Sequence, residues 1–361
     1  MNACLISIAL TLVAAHASMA RSQSALHSPT DRAAHEGSSS TSYPLGRAAM
    51  RLQSLHGDLP GGSVLHGIAY RRDAATVRGT VDAFQSELEV RVSMSPRTPT
   101  SASTTFATNE GTTPQVVLPR TVLQFPAVDR PLLDPALTAE YLIPFATPFV
   151  VPATGGTVCL DVVVHGNTTA AGANRNFSVY LDAHELRTDG WNEAPGFRFG
   201  AGCAAPGTTT SCTSTLSLWR GPTGTRIDTT MRNGVPDDGT GRVFVALAVG
   251  LGNPLAQLPG AAGCTLLTTG EFWQLLPGTT GTGGDHAGSL ALPLLPPGQR
   301  LWLQQGSLDA VSGSYALSDG STLQTPLPAL PSPTVVRIAH ASDPASPVGT
   351  VSFAVPVVRF L

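Results

Sequence analysis

Apolar and polar residues alternate along much of this chain with a period of two. The pattern is clearest in residues 87–94, where apolar side chains from Leu88 onward alternate with polar or charged ones from Glu87 onward. Successive side chains of a β-strand point to opposite faces, so this segment predicts a strand with one face on a core and the other in water.

Comparable apolar or alternating segments recur along the chain, separated by turns. We predict strands at residues 63–70, 87–94, 116–125, 141–151, 157–165, 177–184, 215–220, 226–232, 242–250, 264–268, 272–276, 289–295, 300–305, 334–338 and 350–360. The 37 glycines and 30 prolines are spread over the whole chain and leave little room for long helices. Short strands punctuated by turn residues are typical of β-sandwiches, so we predict an all-β fold with two antiparallel β-sandwich-like domains.

The start of the chain resembles a secretory leader. An uncharged apolar run from Cys4 to Ala15 is followed by small residues at alternate positions up to Ala20. We therefore predict a signal peptide at 1–20, cut after Ala20 or alternatively after Ala17, and a secreted or cell-envelope protein. The run is shorter than the roughly twenty residues that a membrane helix needs, and we predict no transmembrane segment.

The composition of the residues after the signal peptide divides them into segments. A Ser-, His- and Ala-rich stretch at 21–42 predicts a disordered leader, and a polar stretch at 185–195 predicts a connector. The first β-domain is then expected at 43–184, and the second, with the C-terminal strands, at 196–361.

The charge pattern excludes several classes of function. The net charge is -3, and no cluster of cations that would bind phosphates is present, so we expect no nucleic-acid partner. The 21 cationic residues are all arginine, which excludes Schiff-base catalysis, Ser-Lys catalysis and a phosphate-binding P-loop lysine.

Four cysteines would remain after removal of the leader, and an even number in a secreted chain indicates two disulfides. Cys203 and Cys212 are close in sequence, with a turn-forming Pro-Gly pair between them. The spacing favours a Cys203–Cys212 bond, which would leave Cys159 to pair with Cys264. No Cys-x-x-Cys spacing indicates zinc.

One segment, Phe199-Gly-Ala-Gly-Cys203, resembles a motif in uncharacterised secreted β-rich proteins of planctomycete-type bacteria. Leu258-Pro259 and Gly263-Cys264-Thr265-Leu266 follow it in the same order as in those chains. The resemblance extends over roughly residues 43–325 and implies a secreted β-rich protein with no known activity. It also implies Cys203–Cys264 as an alternative disulfide, because those two cysteines lie inside the shared motifs.

Two pairs of residues could support chemistry. Asp161 and His165 share one face of a predicted strand, and Asp182 and His184 share one face of another. If the strands formed a hairpin, the four side chains could converge on a metal ion or act as acid and base. The alternative is that the aspartates accept hydrogen bonds from loop or backbone donors, while the histidines lie on a solvated face.

Aromatic residues are the remaining binding candidates. Trp191, in the polar connector, is the tryptophan most expected to be exposed and to stack on a sugar, while Trp219 and Trp302 lie in apolar strand patterns and suggest core packing. We predict a structural or adhesive protein without a cofactor, and the sequence favours a protein without enzymatic activity. The alternative is a glycan-binding module or a carbohydrate-active hydrolase, and the expected partners are polysaccharides or envelope proteins.

Overall fold

The computed structural model describes residues 26–33, 36–73, 79–130, 139–187, 189–258, 263–329 and 332–361. Nearly all the regular secondary structure in these residues is β, and the paired strands run antiparallel, which confirms the all-β fold class. Helical structure in them consists of one short helix, α1 (Phe106–Asn109), and 3₁₀ turns at Thr30–Arg32 and Pro99–Ser101. Within these ranges no helix is both long and apolar enough to cross a membrane. The expected signal peptide, residues 1–20, lies outside the described residues.

The first unit contains three sheets and a strand pair. Its sheets have the strand orders β1-β27-β4-β9, β25-β24-β3-β10-β6-β7 and β2-β12-β26; β11 pairs with β10, and β5 pairs with β8. The strands are β1 (Leu26–Ser28), β2 (Ser39–Thr41), β3 (Met50–His56), β4 (Val64–Tyr70), β5 (Gly79–Val81), β6 (Phe84–Ser95), β7 (Gln115–Phe125), β8 (Val128–Arg130), β9 (Tyr141–Val150), β10 (Thr157–Thr169), β11 (Gly172–Ala173), β12 (Leu181–Glu185), β24 (Val335–His340), β25 (Thr350–Ser352), β26 (Ala354–Pro356) and β27 (Val358–Phe360).

The second unit contains two sheets and a short strand pair. The sheets have the orders β13-β15-β16-β21 and β14-β23-β22-β17-β20, and β18 pairs with β19. The strands are β13 (Asn192–Pro195), β14 (Phe197–Phe199), β15 (Thr213–Arg220), β16 (Thr225–Arg232), β17 (Val243–Gly250), β18 (Ala256–Gln257), β19 (Thr265–Leu266), β20 (Phe272–Thr279), β21 (His286–Leu292), β22 (Arg300–Asp309) and β23 (Tyr315–Gln324).

Each unit has its own core, built by the alternation seen in the sequence. In the first unit Leu88 and Val90 of β6 pack with Leu160 of β10 and Tyr141 of β9. In the second, the inward side chains of β15 and β16 pack with those of β17 and β22. These separate cores agree with two sandwich-like units, since each sheet has one apolar face to bury.

The second unit is an insertion in the first. The chain leaves the first unit after β12 and returns with β24, which pairs with β3, while β27 pairs with both β1 and β4. The C-terminal strands therefore belong to the first unit, and their expected place in a 196–361 domain is wrong. The expected disorder of 21–42 is also wrong where that segment is described, because β1 and β2 pair with β27 and β12. The expected connector 185–195 includes β13, which pairs with β15.

Several short strands were missed by the sequence analysis, and so were two longer ones, β3 and β23, because their polar residues are buried. In β3, Gln53 and His56 are fully buried, so the strand lacks the usual alternation. In β23, Ser318 and Asp319 are buried and hydrogen-bonded, with Asp319 accepting from the backbone N–H of Ser214. Buried polar groups that find partners are compatible with a core strand, but a hydrophobicity pattern cannot reveal the partners in advance.

The described disulfide joins Cys203 to Cys264, while Cys159 and Cys212 are buried free thiols. The pairing favoured by spacing is therefore wrong, and the alternative implied by the resemblance is confirmed. Cys212 donates its backbone N–H to the carbonyl of Cys203, yet its side chain packs in the core of the second unit. The side chains of Cys203 and Cys264 pack instead with Leu317 in a separate cluster.

Candidate functional site: a polar groove on the second unit

The four residues of the predicted metal site are placed on two strands that do not form a hairpin with each other. Asp161 and His165 lie on β10, which pairs with β3 and β6, whereas Asp182 and His184 lie on β12, which pairs with β2 and β26. The hairpin on which the predicted site depended is therefore absent from this part of the structure.

Each aspartate of that set is held by its own arginine. Both oxygens of Asp161 accept from Arg51 Nε at 3.1 Å, and Asp182 accepts from Arg71 Nε and, at 2.7 Å, from the backbone N–H of Gly37. The imidazole of His184 lies 3.0 Å from the hydroxyl of Ser38. Burial lowers the pKa of His184 well below its usual range, so this ring is neutral.

Asp182 does meet two other carboxylates, those of Glu36 and Asp73. One oxygen from each lies within 4.8 Å of the others, and all three residues are buried. Arg71 donates to Asp182, and its charge also acts on Glu36. A buried guanidinium among carboxylates offsets their charge as a metal ion would, so we interpret the cluster as an ion-pair network that fastens the N-terminal segment to β12.

The same N-terminal segment joins the two units through Arg32, which is fully buried. Its guanidinium donates to Glu36 O at 3.2 Å in the first unit and to Glu193 O at 3.3 Å in the second. It also donates to the side chains of Asp31 and Asn192. The units are thus connected by a desolvated polar contact as well as by the chain.

A large concave polar surface lies on the outer face of the β13-β15-β16-β21 sheet. It is a groove of about 650 Å³, lined by Glu193, Arg198, Ser217, Asp228 and Thr230 among others. Its volume falls within the range of small-molecule sites. We call it the polar groove.

Strand alternation builds this groove. In β15, Leu216 and Leu218 are buried in the core, so Ser217 between them faces outward. In β16, Ile227 is buried and Asp228 faces outward, and the register places Asp228 directly opposite Ser217. The polar side chains therefore line up across the sheet at the spacing of neighbouring strands, about 4.8 Å.

Ser217 and Trp219 lie beside Glu193 at the wall of the groove. Trp219 donates its Nε1–H to the hydroxyl of Ser217 at 3.1 Å, and Ser217 acts on the Glu193 carboxylate in favour of its charged form. A serine hydroxyl has a single proton, so one that accepts from an indole can turn that proton towards a carboxylate. Burial raises the pKa of Glu193, and the nearby charge of Asp228 adds to that effect, while Ser217 and Arg187 oppose it.

Trp191 does not present an open ring face for sugar stacking. It is half-buried, and the guanidinium of Arg226 lies 5.4 Å from its ring centroid. Arg226 also lies 5.2 Å from the ring of Trp219, and Arg187 lies 5.1 Å from that same ring. The two tryptophans and two arginines form a cation–π stack on the sheet beside the polar groove.

The polar groove was missed by the sequence analysis, although its strands were predicted. The signal lay in the outward residues of segments 215–220 and 226–232, which combine hydroxyl, carboxylate, arginine and indole side chains. Most outward faces of strands are polar, and only the register shows that these residues meet.

Comparison with known proteins does not assign this chain to a family. The sequence matches no protein-family model, and a search of curated proteins found no significant match.

Proposed function

We propose that the protein is an extracytoplasmic, adhesive binding protein whose polar groove holds a hydroxyl-rich ligand such as a polysaccharide. The polar groove itself carries this proposal, because it is large enough for sugar residues and is lined by donors and acceptors from several strands. Ordered polar groups at fixed spacing suit a ligand with hydroxyls along its length.

The charges of the groove favour a neutral ligand. Arg198 is neutralised by an ion pair with Asp319, and Arg226 is paired with Asp228 at 3.0 Å. Glu193 and Asp228 would repel phosphates and sulfates. A neutral polysaccharide can donate hydroxyl hydrogen bonds to both carboxylates without an unpaired charge.

The Cys203–Cys264 disulfide supports a location outside the cytoplasm, because structural disulfides persist in oxidising compartments. The apolar run and small residues of the first twenty positions support export through a signal peptide. Mass measurement of the exported protein would test this, and a mature chain that still contains residues 1–20 would contradict it.

Affinity electrophoresis with neutral soluble polysaccharides (β-glucan, xylan and galactomannan) tests the binding proposal. We expect retardation of the native protein in at least one of these gels. We expect Asp228→Asn to weaken that retardation at least about tenfold, as loss of a charge-assisted hydrogen bond would.

Asp238→Asn is the matched control, because Asp238 is an exposed aspartate of the same unit that does not line the groove. It should migrate as the native protein does. Unretarded native protein in all three gels, or equal retardation of native protein and Asp228→Asn, would contradict the proposal.

A second candidate, a carbohydrate-active hydrolase, is favoured by the raised pKa of Glu193 in the groove that also contains Asp228. The two residues lie on strands separated by one other strand, roughly 10 Å between backbones. Inverting glycosidases place their acid and base on opposite sides of the bond, with room for a water molecule between. Glu193 would protonate the leaving oxygen as the glycosidic bond breaks, while water adds to the sugar carbon and gives its proton to Asp228.

Release of reducing sugar from the retained polysaccharide separates the two candidates. A hydrolase should release sugar, and Glu193→Gln should abolish release while retaining much of the binding. Binding without any release of sugar would support the adhesive protein and exclude the hydrolase for that substrate.

A further inference from the structure

The opposite sheet of the second unit carries an apolar outer face. In β17, Val243, Val245 and Leu247 point into the core, so the residues between them point outward. The exposed fractions on this face are large for apolar side chains: 44% for Phe244, 53% for Trp273, 61% for Leu275 and 47% for Leu308. We call this set, with Tyr315 and Leu317, the apolar face.

The strand register brings these side chains together. Phe244 of β17 lies opposite Leu308 of β22, and Ala246 lies opposite both Gly306 and Leu275. Because Ala246 and Gly306 are small, they leave a depression of about 430 Å³ between the larger side chains. None of the residues that line it is charged.

The apolar face lies at an edge of its sheet. β20, which carries Trp273 and Leu275, is the last strand in the order, and among the described residues no strand pairs with its outer side. Proteins usually protect an edge strand that is both open and apolar. Pro277 protects only the far end of β20, since proline cannot donate to a neighbouring strand.

The exposed area is about half of what one partner contributes to an interface. The four large apolar side chains of the face are about half exposed and contribute roughly 400 Å² of surface. A stable interface buries about 800 Å² on each partner, with an apolar centre and a polar rim. The apolar face has the size of such a centre.

We propose that the apolar face is an interface between two copies of this chain, related by a two-fold axis. The lining residues carry no charge, so the face has no ionic group that could bind a charged partner. Two copies of the face can meet without charge repulsion. A two-fold axis places the same patch on both sides, which lets the bulky side chains of one copy occupy the depression of the other. This inference is independent of the ligand proposed for the polar groove.

Light scattering coupled to size exclusion, run over a hundredfold range of protein concentration, tests the proposal. We expect the native chain, prepared without residues 1–20, to have the mass of a dimer that dissociates on dilution. Leu275→Glu should be monomeric throughout, because the two-fold axis introduces the buried charge twice and should weaken association at least about 100-fold. Leu275 is more than half exposed, so the variant should fold as the native chain does, as circular dichroism can verify.

The matched control is Val150→Glu, which adds the same charge at an exposed valine of the first unit. It should dimerise as the native chain does. A native chain that is monomeric at every concentration would overturn the proposal, and binding of an apolar peptide to that monomer would assign the face to another partner. Equal dimerisation of the native chain and Leu275→Glu would also overturn it.

Discussion

The buried histidine of β3 should make the first unit sensitive to acid. His56 is fully buried, with Nδ1 2.7 Å from the hydroxyl of Ser28 and Nε2 2.8 Å from that of Ser54. Ser28 donates its proton to Asp58, so it accepts from Nδ1–H of His56, and Nε2 accepts from Ser54. The ring is therefore neutral and fully hydrogen-bonded, and burial lowers its pKa to about 3.

The sign and size of the effect follow from linkage. The ordinary pKa of histidine is 6.5, so the unfolded chain binds a proton below this pH, whereas the folded chain does not until about pH 3. The free energy of unfolding therefore falls as the pH falls from 6.5 towards 3, at about 1.4 kcal/mol per pH unit. Between pH 7 and pH 5 the loss from His56 alone is about 2 kcal/mol.

Replacement of His56 by glutamine removes the titration. Gln can hydrogen-bond to one of the two serines, and we expect it to lower stability at pH 7 by about 1–3 kcal/mol, as for an unsatisfied buried group. The difference in unfolding free energy between native and variant should then shrink by about 2 kcal/mol between pH 7 and pH 5. Urea unfolding followed by circular dichroism at several pH values measures this directly.

A control separates this effect from general destabilisation. Leu52→Ala, in the same strand, removes buried apolar contacts without removing a titrating group. Its difference from the native protein should stay constant with pH. If the His56→Gln difference is equally constant, the buried neutral histidine is not the cause of acid sensitivity, and the reasoning is refuted.

Three further predictions concern contacts that hold distant parts of the chain together. Arg32→Met should lower the free energy of unfolding in urea by about 3–5 kcal/mol, because it leaves the buried carboxylate of Asp31 and the carbonyl oxygens of Glu36 and Glu193 without their donor; a loss below 1 kcal/mol would contradict the proposed link between the units. Cys264→Ser should lower the free energy of unfolding by about 4 kcal/mol, because the disulfide joins two residues that are 61 positions apart. Peptide mapping of the native protein should find Cys159 and Cys212 as free thiols, and a peptide that links Cys203 to Cys212 would refute the Cys203–Cys264 pairing. Gly37→Ala should abolish docking of the N-terminal segment, because its Cβ would lie 1.9 Å from the carbonyl oxygen of Ala183, whereas Gly224→Ala has a nearest neighbour at 3.6 Å and should be tolerated in the same thermal unfolding assay.

Local pattern was a good guide to strands and a poor guide to their partners. The alternation in residues 87–94 predicted a half-buried strand, and β6 spans that segment with the expected face on the core. Nothing local indicated that β24 pairs with β3, nearly three hundred residues earlier. An apolar strand fits any sheet that buries its face, so the choice of partner depends on the whole chain.

The candidate sites show the same division. Asp161 and Asp182 were singled out as candidate metal ligands on strands, but both are buried and each is paired with an arginine from elsewhere in the first unit, Arg51 of β3 and Arg71 directly after β4. The polar groove needed the register of β15 against β16 before Ser217 and Asp228 could be seen as neighbours. Trp273, the exposed tryptophan of the apolar face, lies on an edge strand, and the position of a strand at an edge is a property of the sheet.

The sequence alone determined the β-class of this protein, most of its strands and, where apolar and polar residues alternate as in β6, the face that the strand buries, because a period of two depends on neighbouring residues only. The tertiary structure decided the insertion of one unit in the other, the Cys203–Cys264 bond, the polar groove and the apolar face. These features bring together residues far apart in the chain, and their placement follows from which strands pair and in which register.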